Sequence, residues 1–500
     1  MKKIDTHILY EIISNTVKKL EENRSLLNIL NVFPVPDGDT GNNIFLTMKG
    51  GLEAVSTKGL SFKEFSSRFI KGLLEQSKGS SGLILSQYFR GFDSAISDHT
   101  SFLTAEHLFK CFLSGYQTVY NAIEEPVEGT IITVMKTISD LSEQVNLEDM
   151  SNGISKSIYQ TSCQALIEGV QQLDILKAVG TIDSGGYAFI LFLEALYHTT
   201  STESLEEINH FIEQNQSELR GFIPESRQEI LYKLNQREAK QANGAKGIFE
   251  HNYCFEFFLK TDLDSSQLSQ RLKDHGSSII VSNLERAYKI HIHTDQVERI
   301  IGELSRSGAV YNVKLDDMVY QHQHYPDLVD DQETISKDQG KPALLTIASG
   351  DKLAEVMDSL GVDRVLIDND ASDMSLTKVL TELSAIKSHE IMILPDSKAH
   401  HARLEQAADL SYKNVTLIRS KTIPEGITGI LHFSPLQSHK ENIENVTQAV
   451  NSVQSVEIVK ENGTVSGHIN HHRFSALYHD EVIFSEVSLD KIMYKVIQRY

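Results

Sequence analysis

The sequence has few cysteines, no long apolar run and no stretch that looks like a signal peptide. Its cysteines, Cys111, Cys163 and Cys254, are too few and too far apart for a disulfide framework. No run is long enough to cross a bilayer, and the first residues are too polar to direct secretion. These shortages predict a cytoplasmic protein without a membrane span.

Basic residues are also scarce relative to acidic ones. The chain has 47 lysines and arginines against 68 aspartates and glutamates, a formal net charge of −21. Such a charge argues against nucleic acid or an anionic membrane surface as the main partner. Apolar residues make up 40% and charged residues 23% of the chain, as in soluble globular proteins. Its 500 residues are too many for one core and predict about two to four domains.

The most informative stretch is residues 31–51, NVFPVPDGDTGNNIFLTMKGG. It connects two helical patterns, and Pro34 and Pro36 deny its entry a helical conformation, so the residues that follow must turn. Asp37 and Asp39 lie two residues apart and can both ligate one magnesium ion. The helical pattern that restarts directly afterwards offers backbone amides to an anion. Together these features predict a site for a metal-bound phosphate.

Two other interpretations rest on the same residues. The aspartates could form no more than a turn, with Asp39 or Thr40 as the N-cap of the next helix, and local composition leaves this open. A calcium-binding loop is excluded by its register. Counting from Asp37, Asn42 stands where that loop needs glycine and Met48 where it needs a bidentate glutamate.

Four segments, in order along the chain, resemble the nucleotide-binding signature of the fatty acid kinase A family. They are PVPDGDTGNN (34–43), KGSSGLILSQ (78–87), EPVEGTIITV (125–134) and GTIDSGG (180–186). The first domain of that family is similar to the ADP-binding L subunit of dihydroxyacetone kinase. The resemblance therefore implies an antiparallel helical barrel with the nucleotide at one mouth.

The resemblance also implies roles for individual residues. Asp37 and Asp39 would hold magnesium and be catalytic. Asn31 stands at roughly the place of the first of three aspartates in the related L subunit, and its amide oxygen can still ligate magnesium. Lys78 and Ser80 replace the arginine and asparagine that are usual in the family, and both keep a donor for phosphate. From the local sequence alone, the glycine-containing segments could equally be turns and helix starts. The residues implied in binding ATP are Thr40, Asn42, Asn43, Gly79, Ser80, Ser81, Gly82, Gly129, Thr130, Asp183 and Gly185.

Periodicity divides the chain into several regions. Residues 1–200 follow a helical period almost throughout, and the polar residues 201–245 predict a helical connector. Alternating aromatic and branched residues within 246–325 predict a small α/β middle domain. An acidic linker at 326–341 leads to residues 342–500, where strand-like runs alternate with helical ones as in a parallel sheet. The predicted fold class is multidomain, an all-α helical barrel followed by two α/β domains.

The middle domain carries the second candidate site. Predicted strands at 253–259 and 289–294 place His291 and His293 on one face, and Cys254 could join them. These three ligands with a fourth position open would suit a reactive zinc ion. The pattern also fits histidines on a solvated strand, but the family's middle domain is similar in having a cysteine and an HxH at these points.

The C-terminal domain departs from the family pattern. After the second strand the family usually has GGQTMNPST, whereas this chain has DNDASDMSLT at 368–377, and the tail lacks the family's closing glycine-rich segment. Since the resemblance implies that this domain helps to dock the lipid carrier, the departures bear on partner choice and not on nucleotide binding. Its strands are predicted at 344–347, 365–367, 391–394 and 415–418.

The function that the resemblance implies is that of a phosphotransferase. It would pass the γ-phosphoryl group of ATP, with magnesium, to the carboxylate of a fatty acid presented by a separate fatty-acid-binding protein, giving an acyl phosphate. A homodimer is also expected. Other hypotheses are a nucleotide-binding regulatory or scaffold protein of low activity, a zinc hydrolase centred on Cys254, His291 and His293, and one component of a dihydroxyacetone-type kinase.

Overall fold

The chain folds into two compact units, Met1–Glu333 and Thr334–Tyr500. The computed structural model describes residues 2–56, 59–144, 153–226, 228–234, 250–284, 287–323, 341–368, 374–461, 473–478 and 481–499. Nearly all of the predicted linker and the last part of the predicted connector lie outside the described residues. In the first unit an all-helical domain precedes a small α/β domain, and the second unit is α/β, so the predicted fold class is confirmed.

The all-helical domain is built from helices whose starts are often capped by a side chain. Ser61 and Asp183, for example, accept hydrogen bonds from first-turn amides of the helices that follow them. The helices are α1 (Thr6–Glu22), α2 (Arg24–Leu30), α3 (Thr40–Glu53), α4 (Phe62–Gln76), α5 (Gly79–Ser94), α6 (Ala105–Ala122), α7 (Ile131–Gln144), α8 (Ile154–Gln172), α9 (Asp174–Val179), α10 (Ser184–Thr200) and α11 (Leu205–Arg220).

Helix α10 lies at the centre of this domain. It is apolar on nearly every side, and the residues from Ser184 to Tyr197 are all buried, as expected for a helix surrounded by others. It packs against α1, α2, α3, α7, α8 and α11. The ring of its Phe189 meets that of Tyr88 edge-on, with 4.9 Å between the ring centroids. This central helix holds its neighbours, and therefore their starts, in fixed positions.

Part of the predicted connector contributes to the core of the helical domain. Ile208, Ile212 and Leu219 of α11 are buried with the other helices, and Ile230 and Leu234 are buried against α9. The polar residues of this segment occupy the exposed faces of amphipathic helices. The segment is polar enough to look like a connector in the sequence, although its apolar face packs against the helical domain.

The middle domain is a four-stranded antiparallel sheet with helices on one face. Its strands lie in the order β2-β3-β1-β4, and the predicted strands at 253–259 and 289–294 are confirmed as β1 and β3. The elements are β1 (Tyr253–Thr261), α12 (Ser265–Leu272), β2 (Ser277–Leu284), β3 (Ala287–Thr294), α13 (Val297–Leu304), β4 (Gly308–Asp317) and α14 (Met318–Gln323).

One face of the middle-domain sheet packs against the helical domain. The side chain of Gln87 bonds that of Ser282, and the Arg90 guanidinium donates to the carbonyl of Asn283 at 2.7 Å. A β-bridge joins Ile123 to Ile280. Polar residues on this face are therefore buried between two domains and do not face solvent.

The second unit contains the predicted parallel sheet. Its strands, in the order β6-β5-β7-β8, are β5 (Ala343–Ala348), β6 (Arg364–Ile367), β7 (Glu390–Leu394) and β8 (Asn414–Leu417), and the helices around them are α15 (Asp351–Ser359), α16 (Leu376–Ala385), α17 (His401–Leu410), α18 (Ile423–His432) and α19 (His439–Ser452). The four predicted strands are confirmed. Of the divergent segment 368–377, residues 369–373 lie outside the described part of the chain.

A second, antiparallel sheet ends the chain and was not predicted. Its short strands mix charged and apolar residues, so they show little of the alternation that marks a half-buried strand. They lie in the order β11-β10-β9. The elements are β9 (Glu457–Glu461), β10 (Arg473–Tyr478), β11 (Glu481–Glu486) and α20 (Leu489–Arg499).

We expect Gly72→Ala to destabilise the first unit, because α3 and α4 touch at this glycine. A Cβ atom there would lie 2.5 Å from the Gly50 carbonyl oxygen and 2.6 Å from the Ala54 Cβ. Overpacking of this kind costs about 1–3 kcal/mol. Gly302→Ala is the matched control, since a Cβ there meets no atom within 4 Å and alanine favours a helix by about 1 kcal/mol. Urea unfolding should move the two variants in opposite directions, and a shift of the same sign in both would contradict the packing argument.

Candidate nucleotide and metal site

The loop that carries the two aspartates is held in shape by Asn31. Its Oδ1 accepts hydrogen bonds from the backbone amides of Gly38 (2.9 Å) and Asp39 (3.0 Å), and its Nδ2 donates to the Val35 carbonyl (3.0 Å). Gly38 has a φ of +75°, which few other residues tolerate. The amide oxygen that the resemblance offered to magnesium is thus engaged by the loop itself. Asn31 shapes the site, and the metal proposal rests on Asp37 and Asp39.

The two predicted carboxylates lie side by side. The side chain of Asp39 forms hydrogen bonds with those of Asp37 and Asn43. Burial raises the pKa of Asp39 above its usual value, although these hydrogen bonds and the charge of Lys314 oppose the shift. Two carboxylates this close must share a proton or a cation. Their arrangement therefore fits a hard divalent cation such as magnesium.

Two helix starts meet beside these carboxylates. Gly79 has a φ of +62°, and a Cβ there would lie 2.3 Å from the Asn43 Nδ2; one at Gly82 would lie 2.4 Å from the Thr47 Oγ1. The glycines thus let the start of α5 reach α3. In the described structure the N-cap residues of α3 and α5 do not cap them with a side-chain hydrogen bond. The Asn42 amide in the first turn of α3 donates to the Asn28 Oδ1 at 3.2 Å. The first turn of α5 is therefore the part of this arrangement that suits an anion.

The predicted residues at the starts of α7 and α10 are held by one buried aspartate. The Asp183 Oδ2 accepts from the amides of Ile131 (2.9 Å) and Gly186 (2.7 Å), so it ties the two helix starts together. The Gly129 amide donates to the Thr133 Oγ1 at 2.8 Å. The Thr130 hydroxyl donates to a backbone carbonyl of its own turn at 2.7 Å. These hydrogen bonds therefore fix the starts of α7 and α10 relative to each other.

The structure brings the predicted cysteine and histidines together on the sheet. One ligand atom from each of Cys254, His291 and His293 lies within 4.8 Å of the others, and all three residues are buried. The Cys254 Sγ is 3.8 Å from the His291 Nδ1, and the Nε2 atoms of the two histidines are 3.2 Å apart. Burial raises the pKa of the Cys254 thiol and lowers that of His293. The three side chains are therefore buried, and their ligand atoms are close enough together to bind one metal ion.

Several charged residues of the same sheet face were missed. Strand pairing places Glu256 opposite His291 on β3 and opposite Lys314 on β4. The Glu256 Oε1 lies 3.2 Å from the His291 Nδ1. Burial alone would raise the pKa of Glu256, but the hydrogen bond with His291 and the charge of Lys314 hold it well below its usual value. The alternation of residues along β4 could have shown which face Lys314 occupies. It could not have shown that β4 pairs with β1, which is what brings Lys314 next to Glu256.

Lys289 joins this face to the helical domain. Its ammonium group donates to the Ser77 hydroxyl at 2.9 Å and to the Ser77 carbonyl. Burial lowers the pKa of Lys289 to about 8. Since Ser77 directly precedes the start of α5, this contact brings the sheet face to the predicted phosphate site.

The two predicted sites lie within electrostatic range of each other. The charge of Asp39 contributes to the high pKa of the Cys254 thiol, after burial and two nearer acids. Lys78, the N-cap residue of α5, has its pKa lowered by burial and then by the charge of Lys314. Together with the contact between Lys289 and Ser77, these charge effects indicate that the aspartate loop, the start of α5 and the Cys/His cluster are neighbours.

Comparison with known proteins gives three consecutive matches along the chain. Residues 34–198 match the DAK2 domain, residues 250–325 the middle domain of fatty acid kinase A-like proteins, and residues 343–500 their C-terminal region. Fold and matches together define a kinase-type phosphotransferase. With all three regions in this order, the chain belongs to the fatty acid kinase A family.

Relatives match along nearly the whole chain. Uncharacterized proteins of Staphylococcus aureus strains USA300 and NCTC 8325 / PS 47 are each 27% identical to it over 511 residues, covering 97% of this chain and 87% of the relative. In the described part of the chain, no helix is both long and apolar enough to span a membrane. The homodimer and the cytoplasmic location stay predictions.

Asp183 predicts a pH dependence of stability. Burial raises its pKa from 3.8 to about 6, although the amides of Ile131 and Gly186 oppose this. The folded state favours the protonated carboxyl group, so its contribution to the free energy of unfolding is fully present below about pH 4. This contribution is lost as the pH rises through about 6, a change of about 2–3 kcal/mol. Asp183→Asn cannot ionise, so the free energy of unfolding of wild type should fall relative to this variant between pH 4 and 7.

Urea unfolding at four pH values measures this difference. Asp5→Asn, at the exposed N-cap of α1, is the control for losing a carboxylate cap. Parallel pH profiles for wild type and Asp183→Asn would contradict the assigned burial of the charge.

Proposed function

We propose that this protein is an ATP-dependent kinase that phosphorylates the carboxylate of a fatty acid held by a separate fatty-acid-binding protein. The observation that carries the proposal is the closeness of the Asp37 and Asp39 carboxylates to the start of α5, whose N-cap residue makes no side-chain cap hydrogen bond. Phosphoryl transfer depends mainly on positioning and charge neutralisation, and this constellation offers both.

We infer how magnesium ATP, the phosphoryl donor, would bind from the residues around the aspartate loop and the start of α5. Asp37 and Asp39 would hold magnesium, and the amides of Gly79, Ser80 and Ser81 would donate hydrogen bonds to the phosphate oxygens. Thr40, Asn42, Asn43 and Gly82 lie at the same two helix starts, and Gly129, Thr130, Asp183 and Gly185 would contact the nucleoside. Bound magnesium would neutralise charge on the β- and γ-phosphates.

The acceptor side is a carboxylate oxygen. It attacks the γ-phosphorus as the bond from that phosphorus to the ADP oxygen breaks, so the products are ADP and an acyl phosphate and no proton is consumed. The matches to the middle domain and the C-terminal region of fatty acid kinase A-like proteins support this acceptor and a carrier protein that presents it.

The Cys254, His291 and His293 cluster fits a zinc ion. Its donors are a thiol and two imidazoles, buried and mutually close, which is the ligand set that zinc prefers. Bound zinc would act as a Lewis acid on an oxygen atom that reaches its open position. Glu256 would orient His291 through the hydrogen bond that it already makes.

A dihydroxyacetone-type kinase is the second candidate, because the DAK2 match covers the helical domain alone. The polar face of the middle domain argues against it. That face is buried against the helical domain beside the start of α5, whereas the related L subunit has about the length of the helical domain.

The proposal is tested with Asp37→Asn and Asp39→Asn in the full chain. Each should lower kcat by at least about 100-fold, because the metal loses a charged ligand, while thermal unfolding stays near wild type. Asp262→Asn, at an exposed turn after β1, is the matched control and should keep full activity.

The assay supplies labelled ATP with either carrier-bound fatty acid or dihydroxyacetone, and traps acyl phosphate as the hydroxamate. Hydroxamate formed by wild type and lost in both variants supports the proposal. Transfer to dihydroxyacetone alone would establish the second candidate. Tight ATP binding without transfer to either acceptor would indicate a regulatory protein.

A further inference from the structure

The helical domain contains a cavity that shares no lining residue with either predicted site. Helices α1, α2, α10 and α11 supply its walls. Its volume is about 310 Å³, which lies at the lower end of the range for small-molecule sites. The cavity is therefore large enough for a small organic molecule.

A buried carboxylate in the cavity wall already has its partners. Glu194 is 3% exposed. Its Oε1 accepts from the Lys19 ammonium group at 2.5 Å, and its Oε2 accepts from the Gln216 side-chain amide at 2.8 Å. Because both oxygens are bonded and the charge is matched by a lysine, this part of the wall does not need a cation from a ligand.

Two hydrogen-bond donors of the cavity lining have no partner. The Tyr187 side chain is 6% exposed, and its hydroxyl makes no hydrogen bond to any described residue. Burial raises the pKa of Tyr187 to about 12, so the hydroxyl keeps its proton. The Arg220 guanidinium at the rim makes neither an ion pair nor a hydrogen bond in the part of the chain that the structure describes. A guanidinium can bind a carboxylate through two parallel hydrogen bonds.

The charges of the lining leave a positive excess. Glu22 lies at the exposed rim, 3.9 Å from the Lys18 ammonium group on the next turn of α1. Glu194 is paired with Lys19 inside the cavity. Among the described lining residues, the charge that stays without a counter-ion is therefore that of Arg220. The cavity thus suits an anion.

The rest of the lining describes the body of that anion. Leu26, Leu191 and Ile223 contribute aliphatic side chains to the cavity. A ligand that rests an apolar part on them could place an acidic group at Arg220 and Tyr187. Pockets with an apolar wall and a few fixed polar groups are typical of small-molecule sites. The class of ligand is a small organic carboxylate.

Helix α2, one wall of this cavity, also contacts the parts of the predicted nucleotide site. The Leu27 carbonyl accepts from the Ser184 hydroxyl at the start of α10 at 2.6 Å. The next side chain, Asn28, accepts from the Asn42 amide in the first turn of α3 at 3.2 Å. Asn31, the C-cap residue of α2, holds the aspartate loop. A ligand that fixes α2 against α10 would therefore also order this loop.

We propose that this cavity binds a small organic carboxylate and that the bound molecule stabilises the aspartate loop. The carboxylate would accept hydrogen bonds from Arg220 and Tyr187, and the ion pair between Lys19 and Glu194 would stay intact. No covalent bond is formed or broken, so the site is regulatory. It goes beyond the proposed function, because binding here does not require phosphoryl transfer.

Binding is tested on the full chain with phenylacetate as the probe, by saturation-transfer NMR. Phenylacetamide has the same shape without the charge and should bind at least about tenfold more weakly, as expected when a charged hydrogen bond is lost. For the same reason Arg220→Met should weaken phenylacetate binding at least about tenfold, and Tyr187→Phe about threefold. Arg68→Met, an exposed arginine of α4 outside the cavity, is the matched control and should bind like wild type.

Several results would overturn the site. These are no binding of phenylacetate to wild type, equal binding of phenylacetate and phenylacetamide, and unchanged phenylacetate binding in Arg220→Met. Leu26→Trp narrows the cavity without altering its charges and should also remove binding, so the test stands if the Arg220 variant fails to fold. Binding that survives in Leu26→Trp would place the probe elsewhere and contradict the proposal.

The effect on the aspartate loop is measured by hydrogen exchange, which does not depend on kinase activity. Saturating phenylacetate should slow exchange in a peptide covering residues 33–43 at least about twofold in wild type and leave it unchanged in Arg220→Met. Unchanged exchange in probe-bound wild type would overturn the coupling and leave the proposed function untouched. Slowed exchange in a wild type that transfers no phosphoryl group would support this site and overturn the proposed function alone.

Discussion

The approach of two carboxylates at a helix start is the constraint on which the rest of the site depends. Asp37 and Asp39 lie close enough to form a side-chain hydrogen bond, an arrangement that costs free energy unless a proton or cation lies between them. The loop that imposes it is fixed by Asn31, whose amide oxygen gathers two backbone amides. A cation between the two carboxylates would remove this cost, which is the arrangement expected of a metal-binding loop.

The two domains of the first unit supply different chemical groups near the two carboxylates. The helical domain offers amides and carboxylates, which suit phosphate and magnesium. The middle domain offers a thiol, imidazoles and lysines on one sheet face, buried by packing against the helices. Neither domain alone presents both sets of groups. To treat the helical domain as a complete kinase and the sheet as a separate metal domain would therefore miss the contact between them beside the start of α5.

The sequence predicted the helices and strands better than it predicted the contacts between them. The helical period, the strands β1 and β3 and the parallel strands of the second unit followed from patterns of apolar residues. The aspartate loop and the Cys/His set were found from motifs and a resemblance. The roles of Lys314 and Glu256 were not predicted, because they depend on which strands pair with β1. The sequence of a single strand does not show its partners.

The roles of Asn31 and Asp183 show a second limit. Both were grouped with ligand-binding residues because they stand within motifs. In the structure the Asn31 side chain holds a loop and Asp183 ties two helix starts together. A motif identifies residues that a site needs, but it does not separate those that would touch the ligand from those that hold the site in shape.

The central claim is that magnesium and a triphosphate bind at this loop, facing the middle domain. A crystal of the full chain soaked with manganese and a non-hydrolysable ATP analogue tests it most directly. The account predicts anomalous density between Asp37, Asp39 and the phosphates. Nucleotide bound elsewhere, or a metal that leaves both aspartates untouched, would contradict it.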